Sequence, residues 1–200
     1  EALVGAHFNS KAADIALEDY KPGDKLVPFK VLEGKLKGSE LTGIRYEQLI
    51  PWFNPGEGAF KVIPGDYVTT EDGTGIVHIA PTFGADDAKV ARLAGVPGLQ
   101  VVDRNGDLQA QVDLRGRFFR VEDLDPDYAA ANMSPDYAEW AGRYVKNAYD
   151  SELPEDAPTL DVDICVMLKQ QNKAFRIEKH THNYPHCWRT DKPVLYYPLN

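Results

Sequence analysis

Residues 73–87, GTGIVHIAPTFGADD, change periodicity in the middle, and that change limits the folds open to the chain. Up to Ile79 the residues suit an extended strand. Pro81 has no N–H to give to a ladder and ends it. Gly84 permits a sharp bend, and Ala85 then opens a helical pattern headed by Asp86 and Asp87, whose charges suit the positive end of a helix dipole. The plain reading is a strand–turn–helix corner with an acidic helix start. The sharper reading is a concave pocket, in which a carboxylate anchors a cationic group and the His78 imidazole stands across from it.

Around this corner the first half reads as β-rich. Residues 24–31 alternate like a strand, and 41–50 mix β-branched and aromatic residues after a glycine turn. Residues 65–80 read as a hairpin with arms at 67–70 and 75–79. Residues 99–109 read as a second hairpin, with Asn105-Gly106 as a primed-turn signal. Three helices are predicted. One covers 85–96. The second covers 134–150, capped by Ser134 with Pro135 in the first turn and a stripe of Tyr137, Trp140, Ala141 and Tyr144. The third covers 159–175, with Ile164, Met167 and Leu168 at helical spacing. VLYY at 194–197 reads as a last strand. Strands interrupted by single helices, without regular βαβ alternation, predict an α+β domain: a curled sheet or small barrel flanked by helices.

The chain has 200 residues, enough for one domain with a core, and 1–200 is read as one unit. It opens EALVGAHF without methionine, which reads as a cut within a longer protein. No apolar run approaches the roughly 20 residues of a membrane helix. Two widely separated cysteines, Cys165 and Cys187, are too few for a disulfide framework and point to a reducing cytoplasm. A net charge of −9 argues against general duplex binding, which needs basic surface, and leaves room for a single-stranded end in a pocket.

The tail, 176–200, is of another character: His180, His182, His186 and Cys187 lie among aromatics and prolines. Imidazole and thiolate at short spacing are metal-ligand types. A second cysteine at 190 would complete a CxxC, but Thr190 stands there, so no metal site is assigned. The alternative is an aromatic connecting segment that packs on a neighbouring domain. There is no P-loop, no GxGxxG after a strand, no GxSxG and no HExxH.

GTGIVHIAPTFGADD resembles the signature of the editing domain of isoleucyl-tRNA synthetases, a connective insertion in a class I catalytic fold. LKGSELTGIRYEQLIP (36–51), DVDICVMLKQQNKAF (161–175) and YPHCWRTDKPVLYY (184–197) resemble further family segments in the same order, the last where the insertion returns to the catalytic domain. The histidine after the valine favours the isoleucyl member over its valyl and leucyl relatives. The resemblance implies hydrolysis of valine esterified to the 3′ end of isoleucine tRNA. One missing methylene is worth only ~1–3 kcal/mol to a binding site, the isoleucyl enzyme being the usual illustration of that limit, so a second sieve removes the error. It further implies that Asp87 holds the α-ammonium, that His78 faces the side chain or ester as a shape and orientation group, and that Phe83 is a pocket wall. A water placed by backbone groups and the adenosine's free hydroxyl is then the attacker, with positioning carrying much of the rate.

The resemblance implies no cofactor in this domain. ATP and magnesium belong to the parent enzyme, and zinc, where members bind it through paired CxxC motifs, is expected outside this chain. The implied partners are the tRNA 3′ end and the catalytic domain of the same polypeptide. The family's threonine-rich TTTPWT wall has no match here, and Thr69-Thr70 is no substitute. A fragment that folds and binds aminoacyl-adenosine without hydrolysing it is therefore the alternative. A metal-dependent hydrolase built on the tail histidines is a third.

Overall fold

The computed structural model describes residues 8–71, 73–154, 157–179 and 181–197. Its regular elements are helix α1 (Ala85–Leu93), strands β1 (Gln100–Val102) and β2 (Leu108–Ala110), and helices α2 (Pro126–Asn132) and α3 (Leu160–Gln170), with short 3₁₀ turns between them. Helices and an antiparallel sheet in separate stretches of chain make the fold α+β, as expected. Among the described residues the sheet is two-stranded and does not close into a barrel.

β1 and β2 pair antiparallel with Val101 opposite Gln109. The turn between them differs from the primed type expected at Asn105-Gly106. Gly106 N–H donates to the Asp103 carbonyl at 2.9 Å and Gly106 alone of the turn takes a positive φ, 85°. This is a type I turn followed by a bulge, a three-residue hairpin loop. The Asp103 carboxylate holds it together, accepting from the N–H groups of Asn105 and Asp107 and from Gln109 Nε2 at 2.9–3.0 Å.

The same device recurs ten residues later. Asp113 accepts from the N–H groups of Arg115 and Arg117, and Gly116 takes φ 78° while its N–H donates to the Asp113 carbonyl. Val112 then bridges Phe118, and Phe118 pairs with Arg143 through a 2.9 Å bond. The spacing D-x-x-G-x at 103–107 and 113–117 was the available signal for this second hairpin.

The helix predicted over 134–150 is instead two short 3₁₀ stretches, Pro135–Glu139 and Asn147–Tyr149, the first with Ser134 Oγ accepting from the Asp136 N–H. The reason lies at Gly142, whose left-handed φ of 78° turns the chain so that 143–145 pair with 116–118. The anchors of the predicted stripe are in place: Tyr137 and Trp140 are buried. One helix was not foreseen. α2 begins at Asp125-Pro126, where Asp125 accepts from the Tyr128 N–H at 2.8 Å and proline occupies the first position.

α1 ends three residues early in a Schellman motif. The Val96 N–H reaches the Ala91 carbonyl at 2.8 Å, Gly95 takes φ 63°, and Lys61 Nζ covers the Ala94 carbonyl. α3 stops before Asn172, whose φ of 55° is left-handed.

The other expected strands are not formed. Residues 24–31 make no ladder, and 41–50 contribute one bridge, Arg45 to Lys61, with a few flanking bonds. The 65–80 hairpin is absent: the chain turns at Gly65, where the Val68 N–H folds back onto the Gly65 carbonyl, and Gly73 and Gly75 both take positive φ. Asp72, in the expected turn, lies outside the described residues. At 194–197 there is only a hairpin-like bond from the Val194 N–H to the Pro185 carbonyl.

The core is aromatic. Trp52, Phe53, Phe118, Tyr137 and Trp140 pack together, with Phe53 and Tyr137 4.4 Å apart edge to face and Trp52 and Trp140 at 5.1 Å. Val101, Leu124, Ala129 and Leu160 complete it from β1, the α2 approach, α2 and α3. The partly buried Phe83 leans on this cluster, which ties the 73–87 corner to the core.

Candidate functional site: the corner at the start of α1

Within the corner, the Ala80 peptide is held on both sides. Its carbonyl accepts the N–H groups of Phe83 and Gly84 at 3.0 and 2.9 Å, closing the turn over Pro81-Thr82. Its N–H donates to Asp87 Oδ2 at 2.8 Å. Asp87 is the third residue of α1, and its side chain folds back over the helix start. This is capping-box geometry reaching four residues further upstream than usual. Gly84, the N-cap, has no side chain to offer, and the Asp87 carboxylate bonds the Ala80 N–H of the incoming segment and no N–H of the helix itself. Thr82 Oγ1 donates to the Leu99 carbonyl at 2.8 Å and pins the turn to the approach to β1.

The consequence is a half-buried carboxylate with one oxygen fixed by a backbone donor. Oδ1 has no hydrogen-bond partner among the described residues. Asp86, one position earlier, is exposed and makes no such bond. Spacing alone does not prefer one aspartate over the other; the family resemblance named Asp87, and the fold separates the two. A fixed carboxylate with an open oxygen beside a half-buried aromatic ring suits a primary ammonium, which brings three donors and a positive charge.

His78 lies on the incoming segment, two residues before Ala80, or at most about 7 Å of chain from the bond that holds Asp87. It is exposed, as are Ile76 and Val77 at 59% and 51%. Phe83 and Asp87 thus share the corner, and His78 stands on its approach. Two clefts border α1. One of about 490 Å³ is lined by Thr42, Lys61, Ile63, Pro64, Val90 and Leu93, and the other of about 320 Å³ by Pro81, Thr82, Ala88, Arg92 and Gly98. Neither includes His78, Phe83 or Asp87 in its lining.

The tail was the other candidate. His180 lies outside the described residues. His182 Nδ1 is 3.1 Å from the Asn183 carbonyl, and His186 Nδ1 is 2.9 Å from the Asp191 carbonyl. Residues 187–191 form a tight knuckle, with the Asp191 N–H on the Cys187 carbonyl at 2.8 Å and Asp191 at φ 54°. The Thr190 hydroxyl first, and then the N–H groups of Arg189 and Thr190, hold the Cys187 thiol below its ordinary value. Threonine therefore satisfies the sulfur where a second metal-binding cysteine would stand. Among the described residues no three His, Cys, Asp or Glu side chains gather as a metal would need. Likewise, no described helix is long and apolar enough to cross a membrane.

No family model matches the chain. It is 65% identical over 201 residues to isoleucine–tRNA ligase of Bacteroides fragilis, covering 100% of this chain and 18% of that protein. It is 65% identical over 200 residues to isoleucine–tRNA ligase of Porphyromonas gingivalis, again 18% of the relative. A more distant isoleucine–tRNA ligase, of Thermoplasma volcanium, is 40% identical over 172 residues, 86% of this chain and 13% of its own length. The chain therefore spans about a fifth of the length of the relatives it matches.

Proposed function

The chain belongs to the isoleucine–tRNA ligase family, and from that premise we propose that it is the editing domain, hydrolysing the ester of valine mischarged onto isoleucine tRNA. The observation that carries the proposal is the corner: in a chain matched end to end by these ligases, Asp87 is fixed by the Ala80 N–H with an oxygen left open. The substrate's α-ammonium pairs with that oxygen. Phe83 bounds the space for the amino-acid side chain, and His78, on the approach, orients the side chain or the ester. Water adds to the ester carbonyl carbon, the bond from that carbon to the ribose 3′ oxygen breaks, and the proton passes to that oxygen. Free valine and uncharged tRNA leave. Because the ammonium holds the ester in place, positioning supplies much of the rate and no protein nucleophile is required.

The partners follow from this reading: the single-stranded 3′ end of isoleucine tRNA, and the catalytic domain of the same polypeptide, which the strongly acidic chain needs for the main grip on tRNA. The domain itself uses no cofactor, and ATP and magnesium serve the synthetic site elsewhere in the enzyme. Both cysteines are free thiols, which suits the cytoplasm.

The test is calorimetric titration of the chain with a non-hydrolysable valyl-adenosine analogue beside its isoleucyl counterpart. Valyl is expected to bind the more tightly. Asp87→Ala is expected to abolish binding with the fold intact, and His78→Ala to change the valyl-to-isoleucyl ratio. Unchanged affinity in Asp87→Ala would overturn the anchor. Binding without hydrolysis of valyl-tRNA would favour a fragment that needs a further wall of the pocket.

A further inference from the structure

We infer that Gly84 is a positioning residue for Asp87: its missing side chain is the space in which the anchoring carboxylate lies. The inference rests on the editing reading of the corner and adds to it the residue that sets the carboxylate's direction.

Gly84 does not answer to backbone strain. Its φ is −102° and its ψ 123°, an extended conformation open to any residue. As N-cap it has no side chain to accept from the helix start, although glycine is among the residues favoured there. What sets this glycine apart is its neighbours. A Cβ built on Gly84 would lie 2.7 Å from Asp87 Oδ2, 2.9 Å from Cγ and 3.0 Å from Cβ. Those are the three nearest atoms, and all belong to the Asp87 side chain. The oxygen that would be struck is the one bonded to the Ala80 N–H.

A methyl group at 84 would therefore press first on the movable end of Asp87 and not on backbone. Rotation about χ1 relieves the contacts with Oδ2 and Cγ, removes Oδ2 from the Ala80 N–H and turns the open oxygen away from its present direction, while the 3.0 Å contact with Asp87 Cβ, which χ1 does not move, is met by a small shift of the helix start. The fold keeps its turn through the bonds from Phe83 and Gly84 to the Ala80 carbonyl and from Thr82 to Leu99. The substitution should thus separate two properties that usually fall together, leaving stability nearly whole while spoiling the anchor.

The experiment compares wild type, Gly84→Ala, Asp87→Ala and the double variant in the 200-residue chain. Three quantities are read: thermal midpoint, the amide proton shift of Ala80 by NMR, and affinity for the valyl-adenosine analogue. In the wild type the Ala80 amide should show the downfield shift of a bond to a carboxylate. In Gly84→Ala that signature should vanish as it does in Asp87→Ala, the midpoint should stay near wild type, and affinity should fall about tenfold, as loss of a well-aimed charged bond does. The double variant should bind no more weakly than Asp87→Ala alone. A wild-type Ala80 amide in Gly84→Ala overturns the inference, and so does a displaced amide with undiminished affinity. If the wild type itself fails to bind, or Asp87→Ala binds as well as wild type, the editing reading is what has failed. The Ala80 amide distinguishes that case, because it still reports whether position 84 steers the carboxylate.

Discussion

At the scale of the residue, the proposed anchor gives Asp87 two tasks on two oxygens. Oδ2 holds the incoming segment through the Ala80 N–H, and Oδ1, open among the described residues, is the oxygen the proposal assigns to the ligand. Asp87→Asn separates them, because an amide oxygen still accepts from Ala80 while the charge is gone. The expected outcome is a thermal midpoint within a degree or two of wild type, with affinity for a valyl-adenosine analogue down about tenfold or more. Asp87→Ala, by contrast, should lose both affinity and about 1 kcal/mol of stability, because the Ala80 N–H loses its acceptor. Denaturant titration beside calorimetry checks both. Equal affinity in Asp87→Asn would mean that the charge is not what the ligand reads. The sequence supplied the residue types at this site, since acids at a helix start after a glycine bend are visible as such. It could not show that Asp87 rather than Asp86 turns inward, nor that the Ala80 N–H is what holds it, because a backbone donor has no letter of its own.

At the scale of the element, the two D-x-x-G-x turns order the middle of the chain. Burial pushes the Asp103 carboxyl upward, but the N–H groups of Asp107, Gln109 and Asn105 outweigh it and hold it below its ordinary value of 3.8. A depressed carboxyl stabilises the folded state above the unfolded value and loses that contribution as pH falls through the folded one. Wild type should therefore exceed Asp103→Asn in thermal midpoint at neutral pH, and the gap should narrow as pH drops below about 4. A gap independent of pH would show that shape alone, not charge, holds the turn. The hairpin at 99–109 was legible because Asn105-Gly106 sits between apolar runs, yet the turn type was not, since Asp103 draws the loop into a type I turn and leaves the positive φ to Gly106 alone. α2 escaped notice because its seven residues carry only a short apolar pattern, and its one strong sign was Asp125-Pro126. The 134–150 stripe misled in the opposite direction: Tyr137 and Trp140 are buried as its period demands, but tertiary pairing at 143–145 takes the chain once Gly142 turns it.

At the scale of the whole molecule, burial is unevenly placed. Between residues 101 and 160 lie Val101, Phe118, Leu124, Tyr137, Trp140 and Leu160, whereas the described chain before Trp52 contributes only Ala12 and Pro28 to the buried set. The tail is tied to the same body by the Tyr149 hydroxyl, which donates to the Pro193 carbonyl, and is braced within itself by the Tyr184 hydroxyl on the Val194 carbonyl, both at 2.9 Å. Stability is thus carried by an aromatic centre whose phenols must stay neutral. Burial raises Tyr128, Tyr137, Tyr149 and Tyr197 above their ordinary value of 10.0, and the Asp113 charge adds to the effect at Tyr137 and Tyr197. The largest rise is at Tyr137, fully buried, with its hydroxyl donating to the Phe119 carbonyl at 2.6 Å. Groups raised on folding stabilise the native state below the unfolded value and cease to do so as pH climbs past it. The molecule should therefore hold its stability to about pH 10 and lose it steeply above, with phenolate absorbance of these tyrosines rising together with the loss of far-ultraviolet dichroism. Tyr137→Phe separates the two contributions. It should cost about 1–3 kcal/mol at neutral pH, because the buried Phe119 carbonyl loses its donor, and it should flatten the alkaline fall, because the strongest linkage is gone. Phenolate appearing in full before any dichroism is lost would show that the phenols reach solvent without unfolding, and that the aromatic centre is not what holds the molecule together.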